Sequence, residues 1–180
     1  MSPRLSVVIP AYNEAESLPA LLESLARHVE PFAPYEILVA ADGSTDGTPA
    51  LMERLCAENP RLGYLRLGRN YGKSAALALA FARAQGERVI TMDADLQDDP
   101  AEIPALLAAL DEGWDLVSGW KRERRDPLDK RLPSRVWNAM MRRVSGLRLH
   151  DFNCGLKAYR LEAVRSLNLY GDLHRYIPML

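Results

Sequence analysis

Apolar and polar positions follow two periods along this chain. Short apolar runs at Leu5–Ile9, Tyr35–Ala40, Gly63–Leu67, Arg88–Met92 and Asp115–Gly119 have the length and composition of strands. Between them, apolar residues recur at helical spacing. Leu18, Leu21, Leu22, Leu25 and Val29 predict a helix over Ala15–Val29, with Asn13 and Glu16 spaced as a capping box. Leu51, Met52 and Leu55 mark the buried stripe of a second helix. An Ala/Leu-rich helix runs to about Gln85. A fourth helix carries Ile103, Leu106, Leu107 and Leu110 behind Pro100, a residue suited to a first helical position. Pro133–Ser145 reads as a helix that stops at Gly146, and Leu161–Leu167 as a short one. Asp151–Tyr159 is ambiguous, and Tyr170–Leu180 has no clear period.

Strands that alternate with helices of this length predict an α/β fold: a mostly parallel central sheet flanked by helices. Parallel crossovers are right-handed, so the loops leaving the strands gather on one edge of the sheet. Four polar-rich loops then meet there, at 10–14, 41–48, 68–74 and 93–100.

The last of these loops is the most informative. The apolar run Val89–Met92 ends abruptly in Asp93, Asp95, Gln97, Asp98 and Asp99. Bare carboxylates cannot stay buried, so the chain surfaces at Asp93, at the carboxyl end of a strand, where open α/β sheets hold ligands. Asp93 and Asp95 can converge on one cation, and such hard oxygens suit Mg2+ or Mn2+ shared with substrate phosphates. The plainer alternative is an acidic turn capping the next helix, which is the reading for Asp98 and Asp99 before Pro100. Asp42-Gly43-Ser44 offers a carboxylate to ribose or base donors, or else a helix cap. Tyr12 offers a ring to a base, or else packs over the first strand. Gly68–Ser74 ends in Gly-Lys-Ser but has three residues between its glycines where a phosphate loop needs four. Lys73 either meets a diphosphate or sits at a solvated helix start. His150 and His174 read as hydrogen-bonded structural or surface residues, and Cys154 has no base near it in sequence.

Length and composition leave this picture in place: 180 residues, 48% apolar and 26% charged, fit one ordinary globular domain over 1–180. Cys56 and Cys154 form no metal-spaced pair and no disulfide framework, which points to a reducing compartment. The apolar stretch at the N-terminus is too short for a signal peptide. The longest apolar run, Ala75–Ala82, is eight residues, too short to span a bilayer. Charge changes more. Net charge is −1, yet Lys121–Arg143 holds nine Lys/Arg against three acids. That asymmetry suggests an anionic partner. Only Trp120 and Trp137 accompany it, too few for stacking on nucleic acid, whereas arginine forks suit phosphate.

Five stretches, taken in order, resemble one family. They are Val7-Val8-Ile9-Pro10-Ala11-Tyr12-Asn13-Glu14, Asp42-Gly43-Ser44-Thr45-Asp46-Gly47-Thr48, Asn70-Tyr71-Gly72-Lys73, Met92-Asp93-Ala94-Asp95-Leu96-Gln97-Asp98-Asp99-Pro100 and Asp151-Phe152-Asn153-Cys154-Gly155-Leu156-Lys157. They resemble family 2 glycosyltransferases of the GT-A fold, in particular the polyprenyl (dolichyl) phosphate sugar transferases. The resemblance implies a UDP- or GDP-sugar donor bound by Pro10, Ala11, Tyr12, Glu14, Asp42, Lys73, Asp93, Ala94 and Asp95. It implies Mg2+ or Mn2+ at Asp93, Asp95 and Gln97. It implies catalytic roles for Asp93, Asp95, Asp151 on the acceptor side, and Arg122, with Arg124 and Arg125 as alternatives for the phosphate contact. The acceptor it implies is a polyprenyl phosphate at the cytoplasmic membrane face, glycosylated with inversion. An anionic acceptor needs orientation rather than a strong base.

Two departures stand out. Ala41 occupies a position where the family usually has an acid, so Asp42 acts alone. The chain ends at Leu180, short of the family's usual length, which reads as a domain truncated at its C-terminus. Two other functions fit less of the sequence. A sugar-phosphate nucleotidyltransferase needs a Gly-rich basic loop where this chain has Pro-Ala-Tyr-Asn-Glu. A non-catalytic nucleotide-sugar-binding module fits the short length.

Overall fold

A computed structural model describes residues 3–120, 140–147 and 149–180. Six strands form one sheet: β1 (Leu5–Ala11), β2 (Tyr35–Ala41), β3 (Leu62–Arg66), β4 (Arg88–Thr91), β5 (Leu116–Ser118) and β6 (Lys157–Arg160). Their order is β3-β2-β1-β4-β6-β5. The first four are mutually parallel, and β6 runs antiparallel to both β4 and β5. The helices are α1 (Leu18–Val29), α2 (Thr48–Glu58), α3 (Lys73–Arg83), α4 (Ile103–Asp111), α5 (described over 140–145) and α6 (Leu161–Ser166), with a final 3-10 turn at Leu173–Met179.

Alternation along the central strands decides which helix lies where. Leu5, Val7 and Ile9 of β1, with Ile37 and Val39 of β2, pack with Leu21 and Leu25 of α1, Met52 of α2 and Leu107 of α4. The opposite face, with Val8, Leu38 and Ala40, packs under Ala76, Ala80 and Phe81 of α3, Val164 of α6 and Ile177 of the last turn. Both faces are covered, so the strands are apolar runs rather than alternating ones.

Three expectations are corrected and one ambiguity is resolved. β1 continues past Ile9 through Pro10 and Ala11, because beyond Val8 it pairs only with β2, and a strand paired on one side tolerates proline. Helix α1 begins at Leu18, three residues later than the apolar period suggested, and the Asn13–Glu16 capping box does not form. Asn13 is instead left-handed (φ 58), and its side-chain oxygen accepts from Thr45 N in the next loop at 2.8 Å. The ambiguous stretch 151–159 ends in β6, inserted between β4 and β5. The basic segment and most of the helix expected over Pro133–Ser145 lie outside the described residues. Among the described residues, no helix is long and apolar enough to cross a membrane.

One polar residue is fully buried in the central strand for a reason. Ser6 Oγ donates to Glu36 at 2.6 Å and accepts from Gly86 N at 2.8 Å. It thereby closes the turn between α3 and β4, where a Cβ on Gly86 would lie 2.5 Å from Ser6 N. Ser6→Ala leaves the Gly86 N–H buried without a partner, and urea unfolding is expected to show a loss of about 1–3 kcal/mol.

Candidate active site

The four strand-end loops are bound to one another, not merely adjacent. Ser44 Oγ accepts from Asn13 N at 3.0 Å, Thr48 Oγ1 from Glu14 N at 3.0 Å, and Asp46 from Ala15 N at 3.2 Å. Asp42 is 4% exposed. Its two oxygens accept from Tyr71 N and Gly72 N, each at 2.7 Å, so it ties the β2 loop to the loop before α3. Gly43 lets these loops touch: its φ is +70, and a Cβ there would lie 2.2 Å from the Arg69 carbonyl carbon. Lys73 follows as the first residue of α3, and its Nζ donates to Asp93 Oδ1 at 2.5 Å.

Two cavities flank that ion pair. A groove of about 310 Å3 is lined by Tyr12, Glu14, Asp42, Asn70, Ala94 and Asp95. A smaller cavity of about 180 Å3 is lined by Asn153, Lys157, Tyr159, His174 and Arg175. Pro10, Lys73 and Asp93 border both. Gly155 packs against Asp93, where a Cβ would lie 2.5 Å from the Asp93 carboxylate oxygen. Glycine at 155 therefore lets Asp93 keep its place between the cavities.

Electrostatics differ on the two sides. In the groove, Asp93 and Asp95 present carboxylates beside one lysine. In the small cavity, Lys157 is 4% exposed and donates to the Cys154 carbonyl. Burial, reinforced by Lys73, holds the Lys157 ammonium below the ordinary lysine range, against the pull of Asp151 and Asp93. Burial also lowers His174, and Lys73 and Arg175 add repulsion, so its neutral form is favoured. Cys154 is raised by burial and stays a thiol, which removes it as a nucleophile.

Of the residues singled out in the sequence, Pro10, Ala11, Tyr12, Glu14, Asp42, Lys73, Asp93, Ala94 and Asp95 share the groove. Gln97 does not. Its backbone N donates to Asp95 Oδ1 at 3.1 Å, and it borders a separate depression with Asp98, Asp99, Glu102 and Trp120. Leu96, left-handed at φ 60, makes the turn between Asp95 and Gln97. Asp151 is buried, accepts from Asn153 N at 3.1 Å and borders neither cavity. Asp99 caps the turn at Pro100–Glu102 through Ala101 N, as its plainer reading expected. Arg122, Arg124 and Arg125 lie outside the described residues. Among the described residues, no three His, Cys, Asp or Glu converge as a metal cage. Lys157, His174, Arg175 and Asn153 were missed as site residues. Only Asn153 and Lys157 carried a signal, as members of the family-like stretch 151–157.

Open α/β sheets hold their ligands outside the carboxyl ends of the strands, which is where this carboxylate-bearing groove lies. The family model of glycosyl transferase family 2 matches residues 6–167, and the chain belongs to that family. Solved structures agree. Glucosyl-3-phosphoglycerate synthase from Mycobacterium tuberculosis with UDP is 26% identical, with a TM-score of 0.70, over 92% of this chain and 59% of that one. The same enzyme with Mn2+, UDP-glucose and glycerol 3-phosphate is 26% identical with a TM-score of 0.71 over the same shares of the two chains, 92% and 59%. A mannosyltransferase from Pyrobaculum calidifontis with GDP-mannose and Mn2+ is 26% identical, with a TM-score of 0.69, over 95% of this chain and 48% of that one. This chain thus spans between about half and three fifths of the length of these relatives.

The Asp42 clamp is directly testable. Asp42→Asn turns one acceptor into a donor facing a backbone N–H. Hydrogen exchange at Tyr71 and Gly72 should accelerate, and stability should fall by about 1–3 kcal/mol.

Proposed function

We propose that this chain is a catalytic domain that transfers a sugar from a UDP- or GDP-sugar to a phosphate-bearing acceptor, with inversion at the anomeric carbon. The observation that carries this is the convergence of Tyr12, Asp42, Lys73, Asp93 and Asp95 on one groove at the sheet edge. Its volume of about 310 Å3 falls at the lower end of ordinary small-molecule sites. Tyr12, 46% exposed, offers its ring to the base. Asp42 spends two lone pairs on the backbone and keeps others for a donor hydroxyl or N–H.

A divalent cation fits the groove's chemistry. Asp93 and Asp95 are hard oxygen donors; Lys73 engages Asp93 Oδ1 and leaves Asp93 Oδ2 and the Asp95 carboxylate for a cation. Two carboxylates without a protein cage suit Mg2+ or Mn2+, which complete their coordination from substrate phosphates and water. Asp95 and Asp93 are the residues to hold it, with Gln97, two residues beyond Asp95, as the third candidate. Bound there, the cation supplies positive charge to the departing diphosphate. Lys73, at the start of α3, adds a second positive charge on the same side. Asp42 and Gly43 fix the loop that carries Lys73, so orientation comes from backbone hydrogen bonds rather than from a mobile side chain.

For the acceptor, the basic segment Lys121–Arg143 supports a polyprenyl phosphate at the cytoplasmic face of a membrane. The relative that binds glycerol 3-phosphate supports a second reading, a soluble phosphate ester. Both acceptors are anionic and need no strong general base.

The assay is sugar transfer by this chain from UDP- and GDP-sugars with Mn2+, to a prenyl phosphate and to a glycerate phosphate. Asp95→Ala should cut transfer by at least about 100-fold. Unchanged turnover in that variant would remove the proposal.

A further inference from the structure

Of the residues assigned to the donor, Pro10, Lys73 and Asp93 border the cavity on the far side of Asp93, and Tyr12, Glu14, Asp42 and Asp95 do not. At about 180 Å3 this cavity is below the size of an ordinary small-molecule site and suits one compact group. Its charged lining is three cations, Lys73, Lys157 and Arg175, against Asp93, with the neutral His174 beside them. Asp93 Oδ1 is already engaged by Lys73, so that pair is close to neutral. Lys157 and Arg175 remain as net positive charge.

The donors are individually available to a ligand. Lys157 has three N–H bonds, and the hydrogen bond described for it, to the Cys154 carbonyl, uses one. His174 is fixed by Ser74, which is fully buried. His174 N donates to Ser74 Oγ at 3.0 Å, and the same hydroxyl lies 3.0 Å from His174 Nδ1, to which it donates when the ring is protonated on Nε2. That tautomer leaves the Nε2 N–H for a ligand. Asn153 Oδ1 is buried without a hydrogen-bond partner. An amide is assigned by its partners, so this position equally presents an NH2 group. A buried ammonium with unused donors beside an unsatisfied amide is costly unless something binds.

We propose that Lys157, His174 and Arg175 form a subsite for the phosphate group of the acceptor. This rests on the glycosyltransferase reading above and adds a place for its second substrate. The order along the sheet edge supports it. The nucleoside-side residues Tyr12 and Asp42 border only the groove, Asp93 borders both spaces, and Lys157, His174 and Arg175 border only the cavity. An acceptor phosphate in the cavity lies beyond Asp93 from the nucleoside, across from the leaving diphosphate. Its oxygen then attacks the anomeric carbon, and the bond from that carbon to the diphosphate oxygen breaks, with the electron pair leaving on the nucleoside diphosphate. No proton need move if the phosphate is dianionic.

The test is a 31P NMR titration of the chain with inorganic phosphate, with and without saturating UDP or GDP and Mg2+. Phosphate is expected to bind the nucleotide-saturated protein. Arg175→Ala and His174→Ala should each raise its Kd by about tenfold or more, which is 1.4 kcal/mol, while nucleotide affinity stays unchanged. Arg175 is exposed, so its variant keeps the fold even where a Lys157 variant does not. Competition by glycerol 3-phosphate and by a short prenyl phosphate then separates a soluble acceptor from a lipid one. The proposal is overturned if nucleotide displaces phosphate, since the cavity then holds the donor diphosphate. It is equally overturned if Arg122→Ala weakens phosphate and Arg175→Ala does not. If neither UDP nor GDP binds while the Arg175→Ala effect persists, the anion subsite stands and the donor reading falls.

Discussion

A carboxylate buried at the end of a strand is tolerable only when hydrogen-bond donors surround it, and Asp42 meets that condition with the backbone of its neighbour. Its two bonds to Tyr71 N and Gly72 N set where α3 begins. The start of α3 sets where Lys73 sits, and Lys73 holds Asp93. Asp93 in turn divides the sheet edge into two spaces and needs a glycine at 155 to do so. One desolvated carboxylate on β2 thus orders groups delivered by α3, β4 and the approach to β6. The loops from β1 and β2 are tied in by the same logic, through Ser44, Asp46 and Thr48.

Much of the scaffold was legible in the sequence because its strands are buried on both faces. Such strands must be apolar and β-branched, so Leu5–Ile9, Tyr35–Ala40 and Arg88–Met92 declared themselves. The convergence of four loops followed from handedness alone. Strand β6 did not declare itself. It is four residues long, antiparallel, and begins at Lys157, whose charge contradicts a buried strand until the cavity beside it is known. The start of α1 failed for a related reason. Asn13 has the residue type of a helix cap, but tertiary contact with Thr45 outbids the local motif.

The site divides along the same line. Residues within short range of a strand end, such as Asp42, Asp93 and Asp95, could be placed by topology. Gln97 is only two residues beyond Asp95, yet the left-handed turn at Leu96 takes it to another depression. Spacing alone cannot reveal a reversal that depends on one φ angle. His174 and Arg175 belong to a stretch without any period, some 80 residues from Asp93, and only packing of the last turn against α3 brings them in. No local pattern encodes a contact of that range.

Lys157 shows why the two halves of the site belong to one design. A lysine nearly excluded from water lowers stability relative to an apolar residue at the same strand position, because its ammonium loses hydration and regains little from one carbonyl. Natural folds keep such costs chiefly at functional positions. The charge arrangement on either side of Asp93 gives the cost a use. In the proposed reading, two carboxylates toward the groove hold a cation and, through it, a diphosphate. Toward the cavity, Lys157 and Arg175 favour an anion directly. Under the proposal, two anionic groups then approach one carbon from opposite sides. Repulsion between them is screened by protein charges already in place, not by water that must be removed when the substrates meet.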